Sequence, residues 1–235
     1  MPATDLPSTH PRIRIVASFD ELVSTRFANG VNALCWPRTL EGDFAEVLNR
    51  LTAGQGITHL VEDDLHALPL SAAGGAAISI MLADLAMLRQ CGLEPTLDCI
   101  NGYIQPEEAG SMRTDVCSWH VDSATCEADT YLCTYFGASS EGLPNEEAIR
   151  RVDVPETRAL LLEAYGGADD EHFHEWLNDH YYDLHYAPLP DAKPYAFGVG
   201  NLWRVATLHD GCPVPPCIHR APDPISGQKR LLLIS

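Results

Sequence analysis

Trp119-His120-Val121-Asp122 is the stretch on which the reading of this chain turns. On a strand, residues two apart project to one face, so His120 and Asp122 present an imidazole and a carboxylate together. The surrounding sequence supports a strand there. Segments 97–104, 118–121, 130–136, 195–199, 202–208 and 229–234 are short and rich in β-branched or aromatic residues. Gly, Pro and Asp punctuate them, which predicts an antiparallel barrel or double sheet. Between them, 156–165 and 169–178 read as helical or irregular insertions.

Upstream the pattern changes. Val31-Asn32-Ala33-Leu34-Cys35-Trp36 predicts a strand closed by Pro37. Phe44, Val47, Leu48 and Leu51 recur at i, i+3, i+4 and i+7, one buried helical face. A second helix is expected over 76–90, with Gly92 as its stop. The first eleven residues, with three prolines, read as a loose arm. The expectation is one domain over 1–235, mainly β with added helices (α+β): a mostly helical part at 1–95 packed on a β-rich core at 96–235.

A −18 charge, from 15 basic and 33 acidic residues, argues against partners that carry many phosphates. Nucleic-acid binding needs clustered Lys and Arg, and an anionic membrane surface is disfavoured for the same reason. The most apolar segment, 72–83, stops at Asp84, short of a membrane span. Met1-Pro2-Ala3-Thr4-Asp5 has no basic region followed by an apolar run, so no secretory signal is read. Eight cysteines in that context predict reduced thiols and a cytoplasmic protein. A small-molecule substrate is the expected partner, and a homo-oligomer is compatible with the composition.

His120 and Asp122 need a third ligand from a distant strand. His219, in Pro215-Pro216-Cys217-Ile218-His219-Arg220 just before the last strand, is the candidate. Two imidazoles and one carboxylate on one face of an octahedral ion leave three positions open, which suits non-haem iron(II) and dioxygen.

Ten residues separate His219 from Arg230. The order His-x-Asp, a long interval, His, then Arg resembles the iron(II)/2-oxoglutarate-dependent oxygenase superfamily. The likeness covers about 115–235, and the stretch 119–143, including Thr134-Tyr135-Phe136-Gly137, is similar to a little-studied bacterial family of predicted oxygenases. The resemblance implies a double-stranded β-helix, a jelly-roll or cupin-like core. It implies Fe(2+) on His120, Asp122 and His219, with O2 and 2-oxoglutarate as co-reactants. Arg230 would pair with the distal carboxylate of 2-oxoglutarate through its planar fork. Tyr131 or Tyr135, four apart and on one face, would donate a hydrogen bond to the same carboxylate. Many superfamily members carry Ser or Thr two residues after this Arg; here Leu232 stands there.

Trp119 reads as a core or pocket-wall residue and Arg204 as either an inward cation for an acidic substrate or a surface charge, which makes both candidate substrate-binding residues. The histidines at 172, 174, 180 and 185 read as an acidic surface segment, a second metal site, or a lid near the first. Cys212 and Cys217 lack the C-x-x-C spacing of a structural zinc site. The expected activity is oxidation of an unactivated C–H bond in an amino acid or specialised metabolite. The competing readings are an iron oxygenase that uses no 2-oxoglutarate, a non-catalytic cupin-like metal-binding protein, and a purely structural β-domain.

Overall fold

The computed structural model describes residues 10–102 and 112–235. In chain order the elements are β1 (Ile13–Ile15), α1 (Phe19–Ser24), β2 (Ala33–Trp36), α2 (Phe44–Arg50), β3 (Gly56–His59), α3 (Glu62–His66), α4 (Ala72–Gln90) and β4 (Thr96–Asn101). Then follow β5 (Asp129–Phe136), β6 (Glu141–Leu143), β7 (Ala148–Arg150), α5 (Pro155–Tyr165), α6 (Glu171–Asp179), β8 (Tyr186–Pro188), β9 (Tyr195–Ala196), β10 (Leu202–Ala206), β11 (Ile218–Arg220) and β12 (Arg230–Ile234).

Helix makes up about 30% and strand about 25%, so the chain is mixed α/β rather than mainly β. The strands are short, and helices enter from two directions: the N-terminal part and the insertion between β7 and β8. The 118–121 segment pairs only through isolated bridges, and the 195–199 segment yields just two strand residues. The N-terminal part is less purely helical than its periodicity suggests, because β1, β2 and β3 join the main sheet. That sheet has seven strands in the order β1-β2-β10-β5-β12-β4-β3. A smaller sheet runs β11-β6-β9, and His120 bridges onto β11 at His219. From β4 onward the chain alternates: β4 in the large sheet, the His120 segment on the small one, β5 large, β6 and β9 small, β10 large, β11 small, β12 large.

The helices start where local chemistry stops the preceding chain. Ser18, Asp43, Ser71 and Asp170 each accept a hydrogen bond from a backbone N–H of the first turn. Helix α5 begins with Pro155 and ends at Gly166, whose φ of 75° is the left-handed stop. Helix α4 starts four residues before the expected position, because Ser71 caps it and Gly74 lies against Glu46, where a Cβ would meet Oε2 at 2.4 Å.

The two faces of the large sheet bury different sets of side chains. Tyr131, Cys133, Tyr135, Leu202, Leu231 and Leu233 pack with Phe44, Val47, Met81, Leu85 and Leu88 of α2 and α4. Their neighbours Leu132, Trp203 and Val205 face the other way, against Tyr195, Phe197 and Cys217 of the small-sheet side. By length and composition α4 alone among the described helices is apolar enough to cross a membrane, with 19 residues at a mean hydropathy of 1.4. Its placement is that of a covering helix on the sheet. Asp84 on its buried face forms a two-pronged ion pair with Arg38, at 2.6 and 2.8 Å, and accepts a 2.7 Å hydrogen bond from the Tyr135 hydroxyl.

The arm read over the first eleven residues lies mostly outside the described residues, as does the end of the 97–104 strand. All eight cysteines are free thiols.

Candidate metal centre

A row of facing residues crosses the small sheet: His185, His120, His219, Gly142 and Tyr195. Directly opposed residues of antiparallel strands project to the same side, so three imidazoles share one face. His120 and His219 exchange both main-chain hydrogen bonds, at 3.0 and 2.9 Å. His120 and His185 form the other kind of pair, bonded only through their neighbours: Val121 N–H to Leu184 O at 3.0 Å and Tyr186 N–H to Trp119 O at 2.8 Å. At Gly142 a Cβ would come within 2.2 Å of the Tyr195 ring, so only glycine lets that aromatic lie across the row.

Asp122, two residues after His120, completes a convergence. The ligand atoms of His120, Asp122 and His219 all lie within 4.8 Å of one another. His120 Nε2 is 3.7 Å from Asp122 Oδ1, and His219 Nε2 is 3.6 Å from Oδ2. Among the described residues this is the group of His, Cys, Asp and Glu side chains arranged to hold an ion.

The hydrogen bonds behind these side chains fit a metal. His120 Nδ1 lies 2.8 Å from Ser118 O, and His219 Nδ1 lies 3.2 Å from Cys217 O. A carbonyl only accepts, so each ring carries its proton on Nδ1 and turns an unprotonated Nε2 toward the centre. Thr130 donates to Asp122 Oδ2 at 2.5 Å.

The electrostatics agree. Burial pushes His120 down to about 4, with His219 adding to the effect. Burial alone would raise Asp122, but His219, the Thr130 hydroxyl and His120 hold it below its ordinary value. At neutral pH His120 is therefore a neutral imidazole and Asp122 a carboxylate, the forms in which they bind an ion.

Arg230 sits at the other end of the same face of β5. Thr130, Leu132 and Thr134 alternate with the tyrosines, and the buried Arg230 guanidinium donates to Ser140 Oγ at 3.2 Å and Thr134 Oγ1 at 3.5 Å. Thr130 and Thr134 are about 13 Å apart, four residues at ~3.3 Å each. Gly137, at φ 89°, lets the chain pass Arg230: a Cβ there would stand 2.6 Å from Lys229 O.

Four expected contributors lie elsewhere. Tyr131 and Tyr135 do share a face, but it is the one turned to the helices, and Tyr135 is bonded to Asp84. Neither reaches the Arg230 side. Trp119 points away from the metal face into a cluster with Val121, Leu143 and Ile218, under the Arg220 guanidinium at 4.6 Å. Arg204 is engaged by Asp129 and by the carbonyls of Leu22, Val23 and Thr25 at the end of α1, so it serves packing rather than a substrate.

The sequence reading missed Thr130, Thr134, Ser140 and the position of His185. The threonines carry a signal, since they alternate with the tyrosines on β5. His185 carries none, because its insertion meets His120 only through the fold. His172 and His174 lie exposed beside the carboxylates of Glu175 and Asp169, at 3.2 and 3.7 Å, as in a solvated surface segment.

His185 yields a prediction. It is 4% exposed, its Nδ1 lies 3.0 Å from Ser118 Oγ, and burial, with Arg151 second, lowers it to about 4 from 6.5. Below pH 6.5 the unfolded chain takes up a proton that the folded chain refuses. Stability is therefore full above that pH and falls until pH 4 is passed, by about 3 kcal/mol for this group. Urea midpoints of the metal-free protein should drop across that window and drop less steeply in His185→Phe, where His120 still contributes; an equal slope in the two proteins would contradict this.

Comparison with protein-family models, curated proteins and solved structures finds no match to this chain, so its function is read from its own geometry.

Proposed function

We propose that the chain is a non-haem iron(II) oxygenase that uses 2-oxoglutarate to oxidise a C–H bond of a small molecule. The observation that carries this reading is the convergence of His120, Asp122 and His219, with both imidazoles committed through Nδ1. Two nitrogens and a carboxylate oxygen form the facial donor set that suits iron(II) with open positions. Bound iron would supply the oxidising power, in the presence of 2-oxoglutarate and O2. The protein's residues hold the ion, bind the cosubstrate and keep the substrate oriented.

The strand order supports a double-stranded β-helix. The run β10-β5-β12-β4 in one sheet and the run of the His120 segment, β11, β6 and β9 in the other, with a chain that alternates between them, favour a jelly-roll reading. Arg230 supports the choice of cosubstrate: it is buried on the metal-facing side and lines a cleft with Ile100, Gly102, Ala138 and Pro222. The hydroxyls of Thr134 and Ser140 meet it there, in place of the one missing at Leu232. An Arg fork in such a position matches a carboxylate.

Anaerobic addition of Fe(II) and then 2-oxoglutarate should produce a weak visible charge-transfer band, and Arg230→Gln should need far more 2-oxoglutarate to reach it. Iron binding without a band, together with oxygen consumption on some substrate, would replace this reading with an iron oxygenase that needs no keto acid.

A further inference from the structure

We propose that Thr130 is a positioning residue of the metal centre: its hydroxyl bonds Oδ2 of Asp122, orients the carboxylate and favours Oδ1 as the atom that grips an ion. The inference rests on the iron reading of the site and extends it to how many positions stay open.

The three ligands are held in different ways. His120 and His219 are each tied to a main-chain carbonyl two residues earlier. Asp122 follows in the same segment but is the most open of the three, with its side chain 32% exposed against 14% and 9% for the imidazoles. Its carboxylate is held by a side chain instead, Thr130 Oγ1 on β5. Thr130 is itself buried, and Thr207 Oγ1, also buried, lies 3.5 Å from it. The Thr130 proton goes to Asp122, which leaves Thr207 as the donor of that second contact. The result is a directed chain from Thr207 through Thr130 to Asp122, reaching from the large sheet to the carboxylate.

A carboxylate grips an ion through one oxygen or both, and the difference has a chemical consequence. With two imidazoles in place, one-oxygen binding leaves three positions of an octahedron; two-oxygen binding leaves two. A keto acid with two donor atoms, plus dioxygen, needs three. By engaging Oδ2, Thr130 disfavours the two-oxygen grip and so favours a third open position. The same hydrogen bond fixes the carboxylate's angle, which acts on metal affinity directly.

The test compares Thr130→Val, which keeps the shape and removes the hydroxyl, with Thr130→Ser, which keeps the hydroxyl; Thr130→Ala stands in if the valine variant does not fold. Fe(II) affinity is read by anaerobic equilibrium dialysis, and 2-oxoglutarate binding by the visible band. Thr130→Val should bind Fe(II) about 10–100-fold more weakly, while Thr130→Ser stays within about threefold of wild type. The valine variant should also need more 2-oxoglutarate at saturating iron. Wild-type-like iron affinity in Thr130→Val, or a serine variant as weak as the valine one, would overturn the proposal. If wild type binds iron but forms no band, the keto-acid reading falls, and the three iron affinities still decide the role of Thr130. If wild type binds no iron, both readings fall.

Discussion

His219→Ala is expected to abolish stoichiometric Fe(II) binding while the chain stays folded. The imidazole is one of three donors, and an ion left with His120 and Asp122 alone loses its facial set. The fold should survive because His219 joins the small sheet through its backbone: its N–H and C=O bonds to His120 do not involve the side chain. The effect is measurable as stability. Iron at a hundredfold excess over its dissociation constant should stabilise wild type by about 2.7 kcal/mol, and the variant by nothing. Thermal unfolding with and without anaerobic Fe(II) reads this difference. An alanine variant that still takes up one iron per chain would remove His219 from the centre.

The largest loss of stability is expected at Asp84→Ala. Arg38 and Asp84 keep only 9% and 3% of their side chains exposed, so the pair exists out of water. Deleting the carboxylate leaves the guanidinium buried without its counter-charge and the Tyr135 hydroxyl without its acceptor. Breaking a buried pair from one side costs about 3–5 kcal/mol. The loss falls at the joint between α4 and the sheet strand that carries Thr130. Replacing both partners, Arg38→Met with Asp84→Leu, should recover part of it, because apolar substitutes leave no stranded charge. Denaturant unfolding of the two variants makes the comparison. A double variant no more stable than Asp84→Ala would show that the desolvated charge is not what costs the energy.

The legible part of the site is the part set by short-range periodicity. His120 and Asp122 share a face because strands repeat every two residues, and the segment containing His219 precedes a strand whose composition announces it. Period two says which residues share a face but not which way that face turns. It therefore pairs Tyr131 with Tyr135 but does not reveal that the helices of the N-terminal part cover their side. Arg204 was illegible for a related reason: its partners at Leu22, Val23 and Thr25 are remote in sequence and meet it only after α1 docks. His185 reaches the metal face through an insertion whose return path no local pattern encodes. The periodicity starts α4 at 76, just past Gly74-Gly75, yet the Ser71 cap and close packing on Glu46 carry the helix through that pair from Ala72.

The most direct test is anaerobic equilibrium dialysis of the wild-type chain against Fe(II), followed by X-ray absorption of the loaded protein. One iron per chain with two imidazoles among its ligands is the expected result. No retained iron, or an ion whose surroundings lack imidazole, would contradict the convergence of His120, Asp122 and His219 on a metal.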